Sequence, residues 1–270
     1  MGREMGGGEV VGMGIAIVTG ASSGMGVSYV RALAQEAGVE EIWALARREE
    51  ALLALQAQLA KPLRPIRLDL SEPDAPSRFQ ALLERERPKI DYLVNNAGFG
   101  KFCGLGELTM EQALSMVDVN CRALTGLCLA ALPYLSAGSR IVNMASAASF
   151  QPLPYMELYA ASKAFVRSFT RGLNRELRPL GATATAVCPY WVRTPFFQVA
   201  HAHEGAARIT KYEVLYDPDR VVAQALRDAK RGRDMSVYGL WNKTQHLLVK
   251  LLPQSLVMEL WLRRQGLPRA

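Results

Sequence analysis

Residues Thr19-Gly20-Ala21-Ser22-Ser23-Gly24-Met25-Gly26 decide how this chain folds. They follow an apolar run, Ile15–Thr19, and lead directly into a helical pattern over Gly26–Ala37. Glycines at this spacing allow a tight turn and let a pyrophosphate approach the backbone. The helix that follows turns its unpaired amides and positive dipole end toward such an anion. A glycine-rich turn alone says little, but one between a first strand and a first helix is a specific signal. The bland alternative, a plain strand–helix turn, has no need of three glycines.

Working outward, the same rhythm repeats. Short, mostly β-branched or aliphatic runs lie at Ile15–Thr19, Ile42–Ala46, Ile66–Leu68, Tyr92–Val94, Ile141–Met144, Thr183–Val187 and Met235–Tyr238. Their lack of alternation is expected of strands covered on both faces. Amphipathic stretches separate them, among them Glu49–Leu59, Met110–Leu132 and Leu158–Arg178. Strands alternating with helices imply right-handed crossovers and a parallel sheet. The expected fold is α/β: a single doubly wound Rossmann domain over 1–270, with about seven parallel strands and helices on both faces. No repeat, low-complexity segment or linker divides it. Two regions leave the rhythm. Residues 195–216, with His201, His203 and Gly205, read as a substrate lid, and 240–266 as a helical tail broken by Pro253. The tail's leucines (Leu247, Leu248, Leu251, Leu252, Leu256, Leu260) and Trp261 suit a hairpin packed on the core. A wall of the substrate pocket, or a foot on a membrane or partner, are the lesser alternatives.

The 32 basic and 25 acidic residues give a formal charge of +7, which would suit nucleic acid, a membrane surface or an anionic cofactor. The basic residues are scattered and often sit beside acids, as in Glu84-Arg85-Glu86-Arg87, so no basic stripe for nucleic acid is present. Cys103, Cys121, Cys128 and Cys188 lack metal or dithiol spacing and read as small buried hydrophobes. His201 and His203 lack an acid or cysteine to complete a metal site, so no metal is expected. No secretion signal and no run of eighteen apolar residues is seen, and a cytoplasmic protein is the default expectation.

The second strand bears on which dinucleotide fits. An NAD-type site places an acid near its end to bind the ribose 2′-hydroxyl. Here Ile42-Trp43-Ala44-Leu45-Ala46 ends in Arg47-Arg48 with no acid before Glu49. A guanidinium there would pair with a 2′-phosphate, so NADP(H) is the expected cofactor. Solvated helix-start arginines are the bland reading. Further on, Tyr159 and Lys163 stand four apart in a helical pattern and share a face. A lysine beside a tyrosine is expected to lower the phenol's pKa from near 10 and make it a useful acid/base. Ser146, after the Ile141–Met144 strand, would hold a carbonyl oxygen beside it.

The ordered set of the glycine turn, Asn95-Asn96-Ala97-Gly98, Asn120, Ser146, Tyr159 and Lys163 resembles the short-chain dehydrogenase/reductase family over roughly residues 13–240, in particular members that act on hydroxysteroids or 3-oxoacyl groups. By that resemblance Gly20, Ser22, Ser23, Gly24, Met25 and Gly26 would cradle phosphates. Asp69 with Leu70 would meet the adenine, and Asn96, Ala97 and Gly98 would line the adenosine side. Pro189, Val192 and Thr194 would border the nicotinamide, and Lys163 would also bond its ribose. Asn120 would hold a proton-relay water, Ser146 would orient the substrate and Tyr159 would donate the proton. Pro189-Tyr190 replaces the family's usual Pro-Gly, and Ser23 stands where many NADPH users carry a base. Phosphate recognition would then rest on Arg47 and Arg48. Large apolar residues near the expected site (Phe99, Phe102, Leu153, Trp191, Phe196, Phe197) point to a roomy pocket for a bulky ketone or secondary alcohol. A hydroxysteroid comes first, a long-chain 3-oxoacyl or general carbonyl compound second. A non-catalytic NADPH sensor is the rival of another class. The resemblance also implies a homodimer or homotetramer, with the Met110–Leu132 and Leu158–Arg178 helices at the interface.

Overall fold

The computed structural model describes residues 14–202 and 208–268. Seven strands form one parallel sheet: β1 Gly14–Thr19, β2 Glu41–Ala46, β3 Leu63–Arg67, β4 Lys89–Asn95, β5 Arg140–Met144, β6 Thr183–Val187 and β7 Met235–Ser236. Their spatial order is β3-β2-β1-β4-β5-β6-β7. The chain reverses its direction of travel across the sheet between β1 and β4, so a crevice opens at their carboxyl ends, where such folds bind ligands.

The inner strands bury both faces, which explains their unalternating runs, whereas β3 at the sheet edge buries only Leu63. Ile15, Ile17, Trp43, Leu45, Ile90, Leu93 and Ile141 pack on one side of the sheet. Ala16, Val18, Ile42, Ala44, Tyr92, Val94 and Val142 pack on the other. Helices α1 Met25–Ala34, α2 Glu49–Gln56 and α8 Pro218–Lys230 cover the second side, through residues such as Val30, Leu33, Leu52, Val222 and Leu226. Helices α3 Ala75–Glu86, α5 Leu124–Ala131 and α6 Glu157–Glu176 cover the first, through Phe79, Leu83, Leu127, Val166 and Leu173.

The expected Met110–Leu132 helix is interrupted. Helix α4, Met110–Val117, and α5 are joined by a π-helical turn over Asp118–Ala123. Met110–Tyr134 is long and apolar enough to cross a membrane by composition, which the run-length expectation missed. In the fold, Met116, Asn120, Ala123, Leu127 and Cys128 of this stretch are buried against the domain, the position of a core helix. Among the described residues of 195–216 there is one short helix, α7 Phe196–His201; His203 and Gly205 lie outside the described residues. The tail forms α9 Leu240–Leu251 and α10 Gln254–Gln265, separated at Pro253 as its lack of an N–H predicts. Asn242 on α9 donates to the Cys188 carbonyl (2.8 Å) and Trp261 on α10 donates to the Pro154 carbonyl (3.1 Å). These bonds tie the tail to the end of β6 and to the loop before α6.

Candidate active site

The glycine turn is built as its sequence demands. Gly20 and Gly24 have φ of 63° and 55°, a region that side chains disfavour. A Cβ on Gly26 would come within 2.1 Å of the Gly20 carbonyl oxygen, so helix α1 can start this close to β1 only with glycine there. Asn96 donates to the carbonyls of Thr19 (3.0 Å) and Gly20 (3.3 Å), and the Ala97 amide donates to the Thr19 hydroxyl (3.0 Å). The Asn96-Ala97-Gly98 loop thus locks onto the phosphate turn. Arg47 and Arg48 are exposed at the end of β2, and Arg48 donates to the Ser22 hydroxyl at 3.2 Å. Both guanidinium groups are free of carboxylates among the described residues, and one already reaches the turn. Asp69 accepts from the Ser71 amide (2.9 Å) and hydroxyl (2.7 Å), and neighbouring Leu70 is buried. Thr194 closes the far side: a Cβ on Gly24 would meet its side chain at 3.2 Å. Val192 is held by a bridge to Tyr216, and the Pro189 carbonyl accepts from the Ala147 amide (2.8 Å). This cradle fits a dinucleotide, with room for phosphates where no Cβ could stand.

The residues expected to handle the proton converge at the ends of β4 and β5. Helix α6 carries a buried stripe of Tyr159, Ala160, Ser162, Lys163, Val166, Thr170 and Leu173, which fixes the face on which Tyr159 and Lys163 lie. Lys163 Nζ stands 5.8 Å from the centre of the Tyr159 ring and donates to the Met144 carbonyl at 2.7 Å. Asn120 sits in the π-helical turn, an irregularity that often marks working residues. Its Oδ1 accepts from the Phe99 amide (3.1 Å), while Nδ2 donates to the Phe99 carbonyl (2.9 Å) and the Ser162 hydroxyl (3.0 Å). A Cβ on Gly98 would lie 2.9 Å from Asn120 Oδ1 and 3.0 Å from Lys163 Nζ, so both groups meet over that glycine. Ser146 accepts from the Ala148 amide (3.1 Å) and hydrogen-bonds the Tyr159 phenol.

One expectation is corrected here. Tyr159 is not acidified. Burial pushes its phenol up to about 12, with the Ser146 hydrogen bond pulling weakly the other way. Burial likewise draws Lys163 down to about 8, and its amine is spent on the Met144 carbonyl. Desolvation outweighs the charge effect because both groups are shut from solvent and the ammonium is itself disfavoured.

Beyond Tyr159 lies an apolar pocket lined by Leu153, Met156, Trp191, Phe196, Phe197 and Trp261, with Met25, Asn96, Gly98, Ser146, Lys163, Pro189, Val192 and Thr194 around its inner end. Sequence reading missed two contributors, Gln245 and Gly100, and ranked the tail as a pocket wall below a packed hairpin. Gln245 and Trp261 reach in from the tail, so the tail is a pocket wall as well as a packed hairpin. Gly100 presses on the tyrosine: a Cβ there would fall 2.6 Å from Tyr159 Cδ2. No local motif reveals such a glycine, because the need arises from a ring 59 positions away. The pocket is also tighter than expected, about 110 Å³ against the roughly 300–1,000 Å³ usual for ligand sites. Aromatic contacts fill it: Trp191 packs on Phe102 (5.8 Å) and Tyr212 (5.0 Å), and Phe196 on Tyr159 (5.6 Å).

Residues 14–205 match the family profile described as short chain dehydrogenase. The chain belongs to the short-chain dehydrogenase family. A dehydrogenase of Cochliobolus heterostrophus is 33% identical over 143 residues, 53% of this chain and 62% of that relative. The matched part thus spans less than two thirds of the fungal protein. Among solved structures, a short-chain dehydrogenase from Sphingobium yanoikuyae in complex with NADPH superposes with a TM-score of 0.73 at 27% identity, covering 89% of this chain and 97% of its own. A bulky-bulky ketone specific alcohol dehydrogenase from Comamonas testosteroni gives 0.67 at 25% identity, covering 89% and 95%. This dehydrogenase is therefore an oxidoreductase of that family, with the family's single parallel-sheet fold.

Proposed function

We propose that this dehydrogenase uses NADP(H) to interconvert a ketone and a secondary alcohol on a bulky apolar substrate, a hydroxysteroid in the first instance. The observation that carries the reading is the convergence of Ser146, Tyr159 and Lys163 on an apolar pocket beside the phosphate turn, with Asn120 meeting Lys163 over Gly98. A pure NADPH sensor would need the turn but not this set. The NADPH bound by the Sphingobium relative, and Arg47 and Arg48 at the end of β2, support NADP(H) over NAD(H). The apolar wall of Trp191, Phe196, Phe197 and Trp261, and the ketone preference named for the Comamonas relative, support the substrate class.

When bound, the dinucleotide supplies or accepts the hydride. Gly20, Ser22, Ser23, Gly24, Met25 and Gly26 would hold its phosphates, Arg47 and Arg48 its 2′-phosphate, Asp69 and Leu70 the adenine, and Asn96–Gly98 the adenosine side. Pro189, Val192 and Thr194 would border the nicotinamide, and Lys163 would bond the ribose. Ser146 and Tyr159 hold the carbonyl oxygen, where charge develops during reduction. The Tyr159 phenol, kept protonated by burial, gives its proton to that oxygen. Lys163 and Asn120, meeting over Gly98, form the path by which the phenolate regains one. A phenol held in its acid form suits the reductive direction. With so little free volume, a bulky ketone enters only as Trp191, Phe196 and Phe197 give way, so 195–216 acts as a lid.

Exposed Met110, Leu114, Val117, Leu129 and Phe165 on α4, α5 and α6 support a homodimer or homotetramer, and sedimentation equilibrium showing only monomer would overturn that. Four free cysteines suit a reducing, cytoplasmic site of action, which fractionation of the source cells tests. The function itself is tested with a panel of ketosteroids, 3-oxoacyl thioesters and small aldehydes, followed by NADPH absorbance. Turnover concentrated on ketosteroids is expected. Turnover only on small aldehydes, or only with NADH, refutes the corresponding half of the proposal.

A further inference from the structure

Beside the turn that Ser146 begins lies a second cavity of about 470 Å³. Its walls are Phe150, at the end of the turn that Ser146 begins, Arg167 and Arg171 of α6, Met235 of β7, and His246, Val249, Lys250, Leu252, Pro253 and Gln254 of the tail. No acid is among them. Arg171 is bonded to nearby Asp234 at 2.7 Å. Arg167, half-buried, lays its guanidinium over the Phe150 ring at 5.3 Å and has no carboxylate partner among the described residues. Lys250 likewise has none. His246 stacks on the same ring, 3.9 Å between centres. Both of its ring nitrogens are shut from solvent and without a hydrogen-bond partner.

A buried imidazole with two unsatisfied nitrogens is costly, as is a partly desolvated guanidinium without a counter-ion. Here three cations share one cavity with such an imidazole, and burial together with the surrounding positive charge holds it neutral, near a pKa of 4. One anion would relieve most of this at once. It would accept from Arg167, Lys250 and one ring N–H of His246, whose imidazolium its charge would favour. A tetrahedral oxyanion has enough acceptors for four such groups, which a single carboxylate does not when spread around a cavity of this size. We propose that this cavity is a binding site for a phosphate group, separate from the dinucleotide cradle. The group is inorganic phosphate, or the phosphate of a larger molecule such as a lipid headgroup, since the cavity exceeds the ion and the adjoining face of α9 exposes Leu247, Leu248 and Leu251. The site adjoins the substrate pocket through α9, where Gln245 lines one cavity and the next residue, His246, lines the other.

The test uses the full-length protein saturated with NADPH, so that the dinucleotide's own phosphate sites are filled. The three histidines are ring-labelled for NMR, with His246 assigned by His246→Gln. Sodium phosphate is titrated at neutral pH and constant ionic strength. In a parallel arm, phosphatidic acid vesicles are compared with phosphatidylcholine vesicles. The expected result is a saturable shift of the His246 signal, weakened about tenfold or more in Arg167→Gln, as loss of a charge-assisted bond requires. If Arg167→Gln fails to fold through loss of its contact with Phe150, exposed Lys250→Gln serves in its place. A shift with inorganic phosphate assigns the free ion; one with phosphatidic acid vesicles alone assigns the headgroup. No saturable shift in either arm, or a shift that both variants leave unchanged, overturns the proposal.

Discussion

Replacing Gly100 with alanine tests whether the position of Tyr159 governs the reaction. The new Cβ would lie 2.6, 2.9 and 3.2 Å from ring atoms Cδ2, Cγ and Cε2 of Tyr159. Carbon atoms rest comfortably at roughly 3.5–4 Å, so the ring must retreat by about 1 Å. It cannot do so freely, because Phe196 packs on the Tyr159 ring itself at 5.6 Å and the tyrosine is buried. A misplacement of about 1 Å costs on the order of 100-fold in rate. The overpacking itself destabilises by about 1–3 kcal/mol. Steady-state kcat on the best ketone, NADPH affinity by fluorescence, and Tm would be measured together. The expected pattern is a kcat drop of about 100-fold, unchanged NADPH affinity and a modest fall in Tm. Gly106→Ala is the control, since a Cβ there meets nothing within 4 Å, and it should match the wild type. A kcat for Gly100→Ala within about twofold of wild type, with chemistry shown to be rate-limiting by an isotope effect, would refute the reasoning.

Tyr159→Phe should keep NADPH binding and lose at least about 100-fold in turnover, read in the same assays. Arg47→Ala combined with Arg48→Ala should raise KM for NADPH by about 10–100-fold and leave KM for NADH nearly unchanged; equal effects on both would remove the 2′-phosphate role. Lys163 offers a pH signature. Its amine titrates near 8 when folded and near 10.5 when unfolded, so between those values the unfolded chain binds more protons and stability rises with pH. Relative to Lys163→Met, the wild type should therefore gain stability as pH rises from about 8 to 10 in urea unfolding, while a relative loss over that window would contradict a buried, neutral-prone amine. The Tyr159 phenol, raised by burial, adds stability that fades only above about pH 10 and leaves that window clear.

Much of this architecture could be read from residues in order, because the signals were local. The glycine turn, the runs that became β1 to β6, and the shared face of Tyr159 and Lys163 all depend on neighbours within a few positions. β7 was shorter than its Met235–Tyr238 run, pairing only at Met235 and Ser236. The π-helical turn at Asn120 was not legible, since the residues around it have ordinary helical character. At that turn Asn120 makes a pair of hydrogen bonds with the Phe99 backbone, a demand from another segment. Gly100 and Gln245 escaped for the same reason. The acidity of Tyr159 was misjudged because spacing conveys that a lysine is near but not that both groups are dry.

The hydrogen bond from Trp261 to the Pro154 carbonyl has a consequence for how this protein can diversify. The residues assigned to chemistry lie before position 200, as do Leu153, Met156, Trp191, Phe196 and Phe197 of the cavity wall, whereas Gln245 and Trp261 are delivered by the helical hairpin of α9 and α10. Part of the wall is thus written on a different stretch of chain from the chemistry. Substitutions along α10 can retune which molecules are admitted while leaving the proton path undisturbed. A fusion or truncation at that end, made for convenience, would alter the same property and should be checked against substrate range before any kinetic comparison is trusted.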